Sequence, residues 1–226
     1  MALLGVADVA AKIGVSRRRV RQMLASGAIA GQRVGNTWVI NPKALDVLRQ
    51  RRLGSGRPWK PESAWALLAV ASGRDVALSP SQRSRTRHRL EAGLDSHLAQ
   101  LTARCAIRSC YAHPSTLPIL AAEPDIVTSG VSAAARYRLD IVAVYQFEGY
   151  IPESALPALI EKFALEEGAA RPNATLRVVA DQLWPFGPDE DVAPPAVVAV
   201  DLLESGDART RRAGAQLLRE LRPAGR

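Results

Sequence analysis

Two short helices joined by a glycine turn, and then a hairpin, are predicted at the start of this chain, and they restrict its fold more than any other feature. Apolar residues recur at helical spacing over Val6–Ile13, and Gly14 marks a turn after them. Ser16 stands where the N-cap of a second helix is expected. Two short β-branched segments then flank Gly35-Asn36, a pair typical of a tight hairpin turn. The sequence therefore predicts a two-helix corner with a hairpin beside it.

The second helix is predicted to have one apolar and one basic face. Val20, Met23 and Leu24 are spaced to pack against the first helix. The outward positions are Arg17, Arg18, Arg21 and Gln22, with Arg19 at the flank. Arginine can pair with guanine and glutamine with adenine, and both can hold phosphate, while Ser16 can contact a phosphate at the helix N-terminus. We therefore predict that this helix enters a groove of duplex DNA; the alternative is a solvated arginine face.

The hairpin is predicted to add contacts beside this helix. Arg33, Asn36 and Thr37 lie at its tip or flank, where they can contact the DNA backbone or the minor groove. Trp38 is interpreted as a packing residue that joins the hairpin to the helices rather than as a base-stacking one.

Charge is distributed unevenly along the 226 residues, whose formal net charge is +8. Residues 1–60 hold 12 Lys/Arg against 2 Asp/Glu, a net of +10. Residues 61–112 hold 7 against 4, a net of +3, and residues 113–226 hold 11 against 16, a net of −5. A general preference for arginine would spread the charge evenly, so the asymmetry favours a polyanionic partner for the N-terminal part.

The fold class expected is α+β, with an N-terminal winged helix-turn-helix followed by a C-terminal mixed α+β domain. We predict a DNA-binding domain over residues 1–50, a basic Gly/Pro-rich linker over 51–61 and an interaction or regulatory domain over 62–226. A helix from Lys43 to about Arg52 closes the first domain. In the last domain we predict a long helix over Ser79–Cys105, an Ala-rich helix over Gly130–Arg138 and strands over Leu139–Phe147 and Ala174–Val179, the last half-buried.

Catalysis is not expected. The three histidines, His88, His97 and His113, lack a nucleophile and a carboxylate at recognisable spacing. Cys105 and Cys110 match neither a disulfide framework nor a common zinc pattern, so we expect no metal and no cofactor. The longest apolar runs are far shorter than a membrane span of about 20 residues, and a cytoplasmic protein is expected.

The N-terminal stretch VADVAAKIGVSRRRVRQMLASGAIAGQRVGNTWVINPKAL resembles the excisionase/MerR-type winged helix-turn-helix family. The resemblance implies that the second helix lies in the major groove and the wing on the adjacent groove or backbone, usually on paired sites. Carried over by position, it assigns DNA contacts to Ser16, Arg17, Arg18, Arg21, Gln22 and Arg33.

The remainder resembles the C-terminal part of AbiEi-type antitoxins. The resemblance lies in AHPSTLPIL, TSGVSAAARYRLD, NATLRVV, WPF and VAPPAVVAVDLLESGDARTRRAGAQLL. It implies a repressor of its own operon whose C-terminal domain counteracts a co-encoded nucleotidyltransferase-type toxin. The chain departs from that family by carrying an excisionase-type module in place of the usual winged helix.

These observations predict a sequence-specific transcriptional regulator that binds double-stranded DNA, with an antitoxin role as the first hypothesis. The expected partners are duplex DNA, the toxin and, on paired sites, a second copy of the chain. A ligand-sensing MerR-like regulator is the alternative, and an architectural recombination factor is a third. The Gly54-Ser55-Gly56 linker interrupts the long dimerisation helix of MerR-type regulators, which favours the antitoxin.

Overall fold

The computed structural model describes residues 4–25, 29, 31–35, 37–41 and 59–221. The chain divides into two compact units, Met1–Ser55 and Gly56–Arg226. The helix predicted from Lys43 lies outside the described residues. Residues 51–58 of the predicted linker also lie outside the described residues, so the limits of the linker stay a prediction.

The described part of the first unit contains two helices and a hairpin, as the sequence predicts. Its elements are α1 (Val6–Ile13), α2 (Arg17–Ala25), β1 (Gly31–Val34) and β2 (Thr37–Ile40). The two strands pair antiparallel, and Gly35 between them has a φ of 58°, which suits a tight turn.

The second unit is a mixed α+β fold. Its helices are α3 (Pro61–Ala71), α4 (Pro80–Ala92), α5 (Leu98–Leu101), α6 (Leu117–Leu120), α7 (Leu156–Phe163), α8 (Pro195–Leu203) and α9 (Ala208–Leu221). Its strands are β3 (Ala106–Tyr111), β4 (Val127–Thr128), β5 (Phe147–Pro152), β6 (Glu166–Glu167) and β7 (Ala174–Val179). Short 3-10 helices cover Leu94–His97, Thr102–Arg104, Pro114–Thr116, Gly130–Tyr137, Glu153–Ala155 and Asp181–Leu183.

One five-stranded sheet, in the order β4-β5-β7-β3-β6, separates two apolar cores. Side chains alternate between its faces, so in β5 the neighbours Tyr150 and Ile151 belong to different clusters. One core includes residues of α3, α8 and α9, and the other includes residues of α6 and α7. The β5–β7 pair is parallel, and the crossover that such a pair requires contains α7.

A charged network is buried on the α8 side of the sheet. Arg104 contacts Asp201 at 2.5 Å and Glu204 at 2.8 Å. Arg177, from β7, contacts Glu204 at 2.9 Å. The hydroxyl of Tyr150 donates to Asp201 at 2.8 Å. Burial of two guanidinium groups is costly without partners, so these carboxylates are what allow the arginines to lie in the core.

The acids of this network differ in their proton affinity. Burial would raise the pKa of Glu204, but the positive charges of Arg104 and Arg177 outweigh that effect and lower the pKa to about 2. Burial raises the pKa of Glu148 to about 7, because the opposing charge of Arg177 offsets only part of it. Glu204 is therefore a permanent counter-ion, whereas Glu148 titrates near neutral pH.

The predicted helix over Ser79–Cys105 is wrong in its length. Ser79 caps α4 as expected, since its Oγ accepts the backbone N–H of Gln82 at 3.3 Å. The helix ends at Gly93, which has a φ of 86° and a ψ of 143°, and shorter helices follow. Gly130–Tyr137 is a 3-10 helix and not the α-helix expected from its alanines.

The strand predicted over Leu139–Phe147 is also wrong. Residues 139–146 are irregular, and the strand is β5, which begins at Phe147. Each of the six residues of β7 pairs with one of the six residues of β5, so β7 leaves no partner on that side for the preceding segment. β7 occurs where expected, but it is buried along almost its whole length because it is a central strand.

Two further features concern the described residues only. Cys105 and Cys110 are free thiols, in agreement with the sequence. No helix there is long and apolar enough to cross a bilayer.

Candidate nucleic-acid interface

The corner between α1 and α2 is held by a small apolar core. Val9 and Val20 are fully buried, and Met23 and Leu24 are nearly so, as their spacing predicts. Gly14 ends α1 with a φ of 67°, and its N–H donates to the carbonyl of Ala10. Because Gly14 has a left-handed backbone conformation, the chain can change direction after α1. The second helix, α2, then begins at Arg17, directly after its N-cap residue Ser16.

The start of α2 is capped as predicted. The Oγ of Ser16 accepts the backbone N–H of Arg19 at 3.2 Å. This bond uses one acceptor site of the hydroxyl and leaves its hydrogen available to donate to an anion. The first turn of α2 contains no acid, so the positive end of the helix dipole and the arginine charges add together.

The outer face of α2 is cationic and exposed. Its members are Arg17, Arg18, Arg19, Arg21 and Gln22, and all five side chains are exposed. Arg19 donates through Nη1 to Oε1 of Gln22 at 2.8 Å, which leaves the amide of Gln22 as a donor. Among the described residues no carboxylate forms an ion pair with Arg17, Arg18 or Arg21. Their charge is therefore available to a polyanion.

The single acid in the described part of the first unit does not offset this face. Asp8 accepts the backbone N–H of Gly5 at 3.0 Å and so caps the start of α1. Its charge is committed to the N-terminus of that helix, where the dipole stabilises it.

The hairpin presents polar side chains beside an apolar base. Arg33 and Thr37 are exposed, whereas Asn36 lies outside the described residues. Trp38 is half-buried against the α1–α2 core, as its interpretation as a packing residue requires.

Two features of the hairpin are absent from the sequence prediction. The backbone of Leu4 exchanges two hydrogen bonds of 2.9 Å with Ile40, which joins the N-terminal segment to β2. Gly31 lies so close to Leu24 that an added Cβ would approach the Leu24 side chain to 2.6 Å. Neither the Leu4–Ile40 pairing nor the close approach of Gly31 to Leu24 produces a periodic pattern in the sequence. An isolated glycine at the start of a strand, such as Gly31, does indicate that another part of the chain approaches closely.

Comparison with known proteins identifies this unit. Residues 3–53 match the family model described as a helix-turn-helix domain. The N-terminal unit is a helix-turn-helix DNA-binding domain. No curated protein and no solved structure matches the chain significantly.

In this helix-turn-helix domain, α2 occupies the position of the second helix, which in such domains enters the major groove. The buried side of α2 fixes the corner, and the opposite side carries the arginines. The matched segment is about the first quarter of the chain, so the second unit stands apart from this assignment. No group of three or more potential metal ligands occurs among the residues that the structure describes.

Proposed function

We propose that the chain is a sequence-specific transcriptional regulator that reads duplex DNA with α2. The observation that carries this proposal is the arginine face of α2, which lies opposite the buried Val20 in a domain matched as helix-turn-helix. Arg17, Arg18 and Arg21 are the candidates for guanine contacts, and the amide of Gln22 can donate to a base or a phosphate. Arg33, Asn36 and Thr37 are proposed to contact the backbone or the adjacent groove, with one copy of the chain on each of two paired sites.

The test replaces Arg17, Arg18 and Arg21 with alanine in the full chain. All three are exposed, so the fold is expected to survive while specific binding to the DNA upstream of the chain's own gene is lost. Binding is measured by fluorescence anisotropy, and helicity by circular dichroism. The matched control replaces Arg136, Arg171 and Arg212 with alanine, which removes the same charge from exposed positions of the second unit. Undiminished affinity in the α2 variant would disprove the proposal.

We propose further that the regulator is an antitoxin that represses its own operon and is not an enzyme. The support is the AbiEi resemblance together with one structural observation. Three of the resembling segments contribute Ser129, Arg177 and Asp201, and these residues meet in the buried network. These three segments therefore contribute to one buried network.

The antitoxin role is tested by co-expression with the product of the adjacent gene. Full-length protein, and the variant lacking Arg17, Arg18 and Arg21, are both expected to rescue growth, because α2 serves DNA binding alone. Only the full-length protein is expected to repress a reporter placed behind its own promoter. Absence of rescue by the full-length protein would reject the antitoxin role and leave the DNA-binding proposal intact.

A ligand-sensing regulator is the second candidate. An open cleft of about 510 Å³ between the 141–146 segment and the start of α9 supplies its physical basis. A small molecule that alters the affinity of the protein for DNA, combined with no rescue from toxicity, is the result that this candidate predicts.

A further inference from the structure

The helix α4 carries an unneutralised positive charge in a unit whose C-terminal part is acidic. Four arginines lie on its 13 residues, namely Arg83, Arg85, Arg87 and Arg89, against one acid, Glu91. Arg83, Arg85 and Arg87 are exposed, and no ion pair involves them in the described part of the chain. Glu91 instead lies 3.8 Å from His88.

The arrangement of α4 directs these charges outward. Thr86 is buried and Leu90 packs against the core, so the opposite side of the helix faces solvent. At 3.6 residues per turn, Arg83 and Arg87 follow one flank of that side and Arg85 follows the other. The exposed Ser84 lies between the two flanks. Two guanidinium groups on one flank, one on the other and a hydroxyl between them place hydrogen-bond donors across the exposed side of the helix.

The fourth arginine has a structural role. The guanidinium carbon of Arg89 lies 3.7 Å from the ring centroid of Trp59, a cation–π contact. Burial lowers the pKa of Arg89, and the charge of Arg85 lowers it further. Like charges one turn apart on a helix destabilise it by about 0.2–0.5 kcal/mol per pair.

We propose that α4 is a second DNA-contacting surface, which binds the phosphate backbone without reading bases. The inference rests on the proposed function, since the helix-turn-helix domain of the same chain brings duplex DNA within reach of the molecule. Arginine and serine side chains are groups that proteins use for phosphate contacts, and α4 presents them on both flanks of its exposed side. Such contacts add affinity and salt dependence but no sequence preference.

The test replaces Arg83, Arg85 and Arg87 with glutamine in the full chain, a change that keeps helix-forming residues. Binding to the upstream DNA of its own gene and to a random-sequence duplex is measured over a range of salt concentrations. Affinity for both duplexes is expected to fall about tenfold or more, and the slope of log K against log salt to become shallower by about 2 to 3. Circular dichroism verifies that the helix is retained.

A charge-matched control separates local contact from overall charge. It replaces Arg136, Arg171 and Arg212 with glutamine, and its affinity and salt slope are expected to stay near those of the wild type. An equal loss in this control, or an unchanged slope in the α4 variant, overturns the inference. An α4 variant that binds both duplexes with the affinity of the wild type also overturns it.

The inference and the proposed function can fail separately. If the α2 variant loses DNA binding and the α4 variant keeps it, only the inference is wrong. If the wild-type chain binds neither duplex, the proposed function itself is wrong and the inference is rejected with it.

Discussion

At the scale of single residues, Glu204 is the side chain on which the buried network depends most. It contacts both Arg104 and Arg177 and is 5% exposed. Replacing Glu204 with glutamine removes the charge and leaves two buried guanidinium groups with one fewer counter-ion. We expect the free energy of unfolding to fall by about 3–5 kcal/mol, measured by urea denaturation with tryptophan fluorescence.

The matched control for Glu204 is Glu123, a partly buried acid that pairs at 2.7 Å with the exposed Lys162. The Glu123→Gln change is expected to cost less than about 1 kcal/mol, because the lysine it leaves unpaired remains solvated. A loss of similar size in both variants would contradict the importance of burial.

Glu148 predicts a pH dependence of stability. Its pKa in the folded chain is about 7 against an ordinary 4.5, so the folded state binds this proton more tightly than the unfolded state. The contribution of Glu148 to stability is therefore greatest below pH 4.5 and decreases as pH rises to about 7, by a total of about 3 kcal/mol.

The measurement compares the wild type with a Glu148→Gln variant from pH 5 to pH 8. The stability of the variant relative to the wild type is expected to rise over this range, because glutamine does not ionise. The exposed Glu166, changed to glutamine, serves as the surface control. A constant difference between the Glu148→Gln variant and the wild type would refute the interpretation.

At the scale of elements, Gly93 decides where α4 ends. Its φ of 86° lies in the region that favours glycine, so a Gly93→Ala change is expected to cost about 1–2 kcal/mol in unfolding free energy. Gly187 has no positive φ, and an added Cβ there would lie 3.8 Å from the nearest atom outside its chain neighbours. The same change at Gly187 should be close to neutral, and a stabilised Gly93→Ala protein would contradict this assignment.

Local sequence signals predict elements well when caps and periodicity mark both ends. The predicted bounds of α1 and of β7 agree with the structure. The prediction of a continuous helix through Gly93 is wrong because the leucines before and after Gly93 keep a helical spacing although the helix ends there. The prediction of a strand before Phe147 is wrong because the position of a strand depends on the residues with which it pairs. Here the partner is β7, which is distant in sequence and pairs only from Phe147 onward.

The candidate site was more predictable than the core behind the sheet. The exposed face of α2 follows from the positions of Val20, Met23 and Leu24 alone, and the exposure of its arginines agrees with that. Burial of Arg104 and Arg177 has no such signal, because arginine in a sequence pattern is read as a surface residue. Only the three-dimensional meeting of α8, β5 and β7 explains it.

At the scale of the whole molecule, the two units should fold separately. Among the described residues, the core of the first unit draws on residues from 4–40, and both cores of the second draw on residues from 59–221. A fragment comprising residues 56–226 is expected to keep a cooperative urea transition and to lose any preference for the upstream DNA of its own gene over a random-sequence duplex. An unfolded fragment, beside a full chain that unfolds cooperatively, would contradict this prediction.

The buried network also has a consequence for synthesis on the ribosome. Arg104 and Arg177 are synthesised before Asp201 and Glu204, which follow them in the sequence. Until α8 has left the exit tunnel, both guanidinium groups lack these counter-ions, and closing the core around them is unfavourable. The second unit is therefore committed to fold only after α8 has emerged, whereas the helix-turn-helix domain can fold as soon as it emerges.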